Sequence, residues 1–327
     1  HGIRNWEEMD LLWKHTFEDR LGVDIGSGKA SCKYKSSDLK ILLTEAPANP
    51  KKNRINMYKK MFEEYGFKAA HCATQAVLVL YAQGLVTGVV LDAGDGVSHV
   101  IPAFEGIVME RNIQRLNVAG RHVTKRLVDL LQARGYNMNS TADFDTVQKI
   151  KERLCYIALD PKKERELALE TTSLMDRYKL PDGREIKIGR ERFEAGEVLF
   201  DPEIVDVSGK GLHEMLFASI EGSHIDLRTD FYRHIVLSGG TTMFRGLPSR
   251  LEREVKNLWM THKGQGAGGL DRMMKQKIKI EDPPRRKDMV FIGGAVLANL
   301  MQDQEEFWVT REDWLESGER CLPQHQR

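Results

Sequence analysis

The chain has 327 residues, 41% of them hydrophobic, and its 49 lysines and arginines nearly balance 48 acidic residues, leaving a formal charge of +1. This is enough apolar material for one or two packed cores, and too little net charge for bulk binding to nucleic acid or an anionic membrane. No apolar run reaches membrane-spanning length, no secretory leader opens the sequence, and Cys32, Cys72, Cys155 and Cys321 show neither a CxxC pair nor a metal-ligand spacing, so a reducing cytosolic setting is expected.

In chain order, Trp6 to Leu21 reads as a helix and Gly22 to Asp38 as a polar loop inserted before a strand, Leu39 to Thr44. Within the insertion, Val23-Asp-Ile-Gly-Ser-Gly28 has the outline of a phosphate-binding Asp-x-Gly-x-Gly turn, but its place after a helix and directly before a strand favours a plain loop. The basic runs Lys51-Lys52-Asn53-Arg54 and Lys275 to Lys279 read as solvated faces or partner contacts. Ala69 to Gln83 is expected to form a helix ended by Gly84, with Cys72 in its core pattern.

Residues 89–100 are the most informative stretch. An apolar strand, Val89 to Leu91, runs into Asp92, a tight turn holds Gly94 and Gly96, and a second strand leaves from Val97. Glycines let backbone N–H groups approach an anion, and a carboxylate at a strand end can hold the water shell of a Mg²⁺ that bridges phosphates. An ordinary hairpin with an Asp-Gly turn accounts for the same residues without a ligand.

Further on, Ala119 to Arg134 reads as a helix ended by Gly135. Ser140 and Asp143 cap another, in which Phe144, Val147, Ile150, Leu154 and Ile157 share a face. Pro181-Asp182-Gly183 joins two short strands. Ile235 to Leu237 reads as a strand ending in Ser238-Gly239-Gly240, followed by a helix carrying Leu247, Leu251, Val255 and Leu258. Thr261 to Leu270, with four glycines, is expected to be a mobile surface loop, Val290-Phe-Ile-Gly-Gly-Ala295 to repeat the order strand, double glycine, helix, and Cys321 to Arg327 to be a loose tail. Three such glycine motifs point to an α/β fold with a cleft lined by glycine turns.

With these motifs the chain resembles the actin family, through LLTEAPANPKKNR (42–54), QAVLVLYAQG (75–84), LDAGDGVSH (91–99), AGRHVTKRL (119–127), IKERLCYIALD (150–160), LPDGREIKIGRERF (180–193) and LSGGTTM (237–243). Within that family YAQGLVTGVV (81–90), LALETT (167–172), LPSRLEREVKNLW (247–259) and IEDPPRRKDMVFIGGAVLANLM (280–301) are similar to the actin-related subunit of the complex that nucleates branched filaments. The resemblance implies the α/β actin-like ATPase fold, a duplicated ribonuclease-H-like architecture with two lobes around a nucleotide cleft. The inner lobe would span 83–118, 119–207 (its outer sublobe) and 208–288, and the outer lobe 1–82 and 289–327. In the family the opening His1-Gly2-Ile3 motif lies well inside the protein, so the N-terminal part of the outer lobe, with its first phosphate loop, is expected to be missing.

The resemblance also assigns roles. Asp92 would orient the water shell of Mg²⁺ or Ca²⁺, Gly94, Asp95, Gly96 and Val97 would cradle the phosphates of ATP or ADP, and Gln75 with His99 would position an attacking water for slow hydrolysis. Gly120, Lys151, Glu152, Gly239, Gly240, Thr241, Met243 and Lys287 would meet the nucleotide. Departures from the family pattern are Ala93 for a serine, Asn117 and His122 for acidic residues, Gln148 for a basic residue and Phe244 for an aromatic hydroxyl. Implied partners are a second actin-related subunit and the other subunits of the branching complex, actin filaments and nucleation-promoting factors, in the cytoplasmic cortical cytoskeleton, with no nucleic acid and no membrane insertion. Alternatives are a conventional actin, a nuclear actin-related protein of a chromatin remodeller, or a sugar kinase or chaperone ATPase of the same superfold.

Overall fold

A computed structural model describes residues 3, 5–29, 31–138, 140–263 and 277–322. Contacts divide the chain into two compact units, 1–83 with 290–327, and 84–289. Among the described residues no helix is long and apolar enough to cross a membrane.

The first unit opens with α1 (Trp6–Lys14), capped by the Asn5 carboxamide oxygen, which accepts the N–H groups of Glu7 and Glu8. A wider turn, His15–Arg20, continues it, so that Trp13 and Phe17 fall on one buried face. Their rings meet Tyr65 edge-on at centroid distances of 6.3 and 5.6 Å, a favoured aromatic geometry. The segment that follows forms two short parallel strands, β1 (Val23–Asp24) and β2 (Tyr34–Lys35). Contrary to the expectation of a wholly polar loop, Val23 and Ile25 are buried in the same aromatic core. The Asp24 carboxylate accepts the amides of Gly26 and Gly28 at 3.0 and 3.1 Å, so the donors that a phosphate would need are taken by the loop's own side chain.

Strand β3 (Lys40–Glu45), helix α2 (Lys51–Lys59) and strand β4 (Ala69–Thr74) follow. Of the basic run at 51–54, Lys51 and Lys52 are exposed, whereas Arg54 pairs with the buried Glu45 carboxylate at 2.8 Å. The helix expected over Ala69 to Gln83 is a correction: Ala69–Thr74 is the central strand of the sheet, parallel to β3, and only Gln75–Ala82 (α3) is helical. Alanine's helix preference amounts to tenths of a kcal/mol per residue, and pairing on both edges outweighs it. Cys72 is buried as expected, on this strand, and burial pushes its thiol up to about 12.

The second unit is built on a six-stranded sheet. β5 (Gly88–Ala93) pairs antiparallel with β6 (Ser98–Phe104), whose outer edge carries β7 (Ile107–Val108) and β8 (Gln114–Leu116). Helices α4 (Gly120–Ala133), α5 (Thr141–Leu154) and α6 (Pro161–Glu170) come next. Ser140 and Asp143 cap α5 reciprocally, and the helix ends three residues before Ile157, which is buried beyond it. The Pro181-Asp182-Gly183 turn joins β9 (Asp176–Lys179) to β10 (Glu185–Ile188) antiparallel, as read. After α7 (Glu191–Glu194), α8 (Leu212–Glu221) and α9 (Ile225–Arg233), β11 (Ile235–Ser238) lies parallel to β5.

Helix α10 (Leu247–Lys263) buries Leu247, Leu251, Val255 and Trp259 against the sheet's core. Thr261 to Lys263 form its last turn; the rest of the expected glycine loop, 264–270, lies outside the described residues, as do Lys275 and Gln276. Strand β12 (Ile280–Glu281) closes the sheet beside β11.

The chain returns to the first unit through α11 (Met289–Leu300), β13 (Val309–Thr310), antiparallel to β4, and α12 (Arg311–Ser317). The expected strand and glycine turn at Val290–Ala295 are a second correction, because α11 runs straight through them. Its glycines serve helix packing: a Cβ on Gly293 would lie 1.8 Å from the Leu78 carbonyl oxygen of α3. Of the expected tail, Cys321 and Leu322 are a third correction, since Cys321 closes a 3₁₀ turn and Leu322 is buried; its residues 323–327 lie outside the described ones.

Gly293→Ala should lower unfolding free energy by about 1–3 kcal/mol through overpacking, whereas Gly294→Ala, meeting only methyls of Leu42 and Leu78 at 3.4 and 3.7 Å, should stay near the parent. Urea denaturation of the two variants checks this; equal midpoints would refute the close approach. Ile25→Ala should cost about 2 kcal/mol or more, the usual loss for a buried isoleucine, and an unchanged melting temperature would return 22–38 to the status of a free loop.

Candidate functional site

The second unit brings its two glycine motifs together. At the end of β5, Asp92 stands opposite His99 of β6, and Gly94 donates its N–H to the Val97 carbonyl across the turn at 3.2 Å. The Gly94 carbonyl accepts the Thr241 hydroxyl at 2.6 Å and the Gly120 amide at 3.2 Å, tying the turn to the segment after β11 and to the start of α4. The Arg121 amide donates to the Asp95 carbonyl at 2.8 Å, and its guanidinium pairs with the Asp95 carboxylate at 2.6 Å on the surface. Glycine is required at two of these junctions. Gly239 has a φ of +91° and a Cβ there would fall 2.3 Å from the Ala93 carbonyl oxygen; one on Gly120 would fall 2.7 Å from the Thr241 hydroxyl.

Around this junction lies a cleft of about 420 Å³. Its walls bring together Gly94, Asp95, Gly120, Lys151, Glu152, Gly240, Thr241, Met243 and Lys287 of the sequence-derived set. Asp92, Gly96, Val97, His99 and Gly239 belong to the hairpin and the strand end beside it rather than to the walls, and Gln75 opens α3 in the first unit. Two lining residues were named only as departures, Gln148 and Phe244, and Arg245 was passed over although its charge directly follows the double-glycine motif. Thr124 was also missed. It accepts from the buried Lys151 ammonium at 2.9 Å, beside the Gly120 carbonyl at 3.1 Å. The two lie 27 residues apart, a separation at which no sequence pattern operates.

The electrostatics follow from burial. The Asp92 carboxyl is pushed up by desolvation, with a hydrogen bond involving Ser238 offsetting part of it. His99 falls to about 4, through desolvation first and the Arg115 charge second, so its imidazole is neutral at neutral pH. Lys151 is lowered by desolvation. Its ammonium has three donors, two of which are assigned, leaving one for a ligand. Glu152 is exposed and accepts from Gln148 at 3.0 Å. The basic stretch Arg285–Lys287 divides in role: Arg286 is buried and donates to the carbonyls of Thr242, Asp282 and Pro283, whereas Lys287 is exposed at the cleft.

A family model for actin matches residues 2–326. The chain belongs to the actin family. It is 52% identical to an actin-related protein 2 from Arabidopsis thaliana and to another from Acanthamoeba castellanii, each over 98% of this chain and 79% of the relative. It is also 52% identical to an actin-related protein 2 from Caenorhabditis briggsae, over 98% of this chain and 78% of that one. The α/β actin fold implied by the motifs is therefore this chain's fold.

The actin-family cleft suits a magnesium nucleotide on its own geometry. A Cβ at Gly240 would meet nothing within 4 Å, so bare backbone faces open space there, and Lys287 and Arg245 supply cations. Among the described residues no cluster of three metal-ligating side chains occurs; Asp92 could hold a cation through its water shell, beside a ligand's oxygens. Thr241→Val removes the hydroxyl that joins the two glycine motifs and should cost about 1 kcal/mol of stability, the usual net worth of a hydrogen bond. Chemical denaturation measures it, and a neutral substitution would show that the Gly94 carbonyl is satisfied without Thr241.

Proposed function

We propose that this chain is a nucleotide-holding actin-related subunit of the assembly that nucleates branched actin filaments, presenting a filament-end surface beside a second actin-related subunit. The observation that carries the nucleotide part is the cleft, where two glycine motifs, Lys151, Thr241 and Lys287 converge. The subunit role rests on similarity to proteins named actin-related protein 2 along 98% of the chain, and on the resemblance of segments 81–90, 167–172, 247–259 and 280–301 to that subunit.

In this reading Asp92 holds the water shell of Mg²⁺, Gly94 to Val97 face the phosphates, and Lys151, Glu152, Gly240, Thr241, Met243 and Lys287 bind the nucleoside. Bound magnesium supplies neutralisation of phosphate charge. Neutral His99 contributes a hydrogen bond rather than a positive charge. Among the described cleft residues no strong general base is offered, which suits slow hydrolysis that marks time on an assembly. A sugar kinase needs a free carboxylate against a bound hydroxyl, and the cleft's two are engaged, Asp95 with Arg121 and Glu152 with Gln148.

Two experiments test the two halves. Asp92→Asn should weaken Mg-ATP binding at least about tenfold, equivalent to roughly 1.4 kcal/mol, while leaving the nucleotide-free melting temperature near that of the parent. Equal affinities by calorimetry would remove the metal role. The tagged protein, recovered from a lysate of its native cells, should carry a second actin-related protein and further subunits at fixed ratio by mass spectrometry. Recovery as monomer, as homopolymer or with chromatin remodeller subunits would reject the branching reading.

A further inference from the structure

His122 occupies the third position of α4, where the family pattern is acidic, and its Nδ1 accepts the Ala119 N–H at 3.2 Å. An alanine at the N-cap has no side-chain acceptor, so this imidazole supplies the capping contact that the preceding residue cannot. An accepting Nδ1 fixes the neutral tautomer with the proton on Nε2. What the contact pins is the functional junction. The next two amides, of Gly120 and Arg121, donate to the Gly94 and Asp95 carbonyls at 3.2 and 2.8 Å, and the Gly120 carbonyl receives the Lys151 ammonium.

We propose that His122 is a proton-gated positioning residue: only its neutral form holds the start of α4 against the glycine turn, so acidification loosens the cradle that faces the phosphate-bearing ligand. Once protonated, Nδ1–H would point at the Ala119 N–H, donor against donor, at the positive end of a 14-residue helix. The charged groups facing it are Arg121 and Lys125 on the same helix and Asp95 across the turn. Desolvation, with Arg121 and Lys125 behind it, holds the imidazole below the usual histidine range, and Asp95 partly opposes them.

The sign follows from proton counting. A depressed pKa means that the folded protein binds fewer protons than the unfolded one. The contribution of His122 is therefore complete above the ordinary histidine value of about 6.5 and is lost as pH falls through the lower folded value. An aspartate in the same place would keep accepting down to about pH 4. The substitution from acidic residue to histidine thus converts a constant contact into one that titrates.

The effect on the ligand rests on the nucleotide reading above; the effect on the helix does not, and the test separates them. Amide protection factors, which remove the intrinsic pH dependence of exchange, are measured on nucleotide-free protein at about pH 7.5 and about pH 5.5. In the parent, Gly120 and Arg121 should lose about fivefold in protection on acidification, the usual worth of a helix cap. His122→Asn and His122→Asp, which keep an acceptor at both pH values, should show no such loss. His122→Ala should be poorly protected at both. Mg-ATP affinity, taken as the ratio of parent to His122→Asn so that the nucleotide's own titration cancels, should fall by a similar factor. Identical pH responses in parent and His122→Asn would overturn the proposal. If neither protein binds Mg-ATP at either pH, the nucleotide reading fails, and the protection factors still decide the role of His122.

Discussion

The site depends on one carbonyl. Gly94 presents two lone pairs, and they are claimed from opposite sides by the Thr241 hydroxyl and the Gly120 amide. Each bond contributes about 1 kcal/mol, and together they tie three segments to one half-buried atom, so this convergence is a constraint on the sequence. For the three segments to meet there, no Cβ can stand at Gly120 or Gly239. Those glycines are demanded by the junction itself, before any ligand is considered. Gly240 is different, because its missing side chain would have met only open space. It is this second kind of glycine that speaks for a bound molecule.

That distinction explains what was legible in the sequence. The hairpin at 88–104 and the β11 motif were readable because an apolar run, a polar strand end and paired glycines follow one another locally. The same composition at Val290–Ala295 misled, since Gly293 and Gly294 serve the approach of α11 to α3 and Leu42, contacts that join residues some two hundred positions apart. The segment Ala69–Thr74 misled for a related reason. Alanine, histidine and cysteine carry no strong strand signal, and only the partners on both sides, β3 and β13, make it the central strand. Cys72 was read as buried, which is a matter of its own chemistry, but assigned to the wrong element, which is a matter of its neighbours. The cleft's lining residues came largely from motifs, whereas Arg245 lies between two of them, and Thr124, although inside the 119–127 motif, meets Lys151 only through the fold.

Charge in the cleft is mostly spent on structure. Arg121 is paired with Asp95, Arg286 with three backbone carbonyls, and Lys151 has two of its three donors occupied by Gly120 and Thr124. What remains to meet a polyanion is the exposed ammonium of Lys287, the exposed guanidinium of Arg245, one N–H of Lys151 and the bare backbone around Gly240. A polyanion bound there would be held by geometry and many modest contacts rather than by one strong ion pair.

Asp92, beside the cleft and not in its walls, is a carboxylate left without an ion pair among the described residues. It sits at the end of a buried strand, opposite an imidazole that burial keeps neutral. Desolvation raises its pKa, and the interaction with Ser238 returns only part of that cost. A divalent cation nearby reverses the balance, because it favours the ionised carboxylate that burial penalises. Anything that binds only the folded form stabilises it by mass action, so a cation held between Asp92 and a ligand's oxygens would stabilise the strand end from which the glycine turn departs. Binding and folding would in that case be coupled at one carboxylate, two residues from the carbonyl on which the junction hangs.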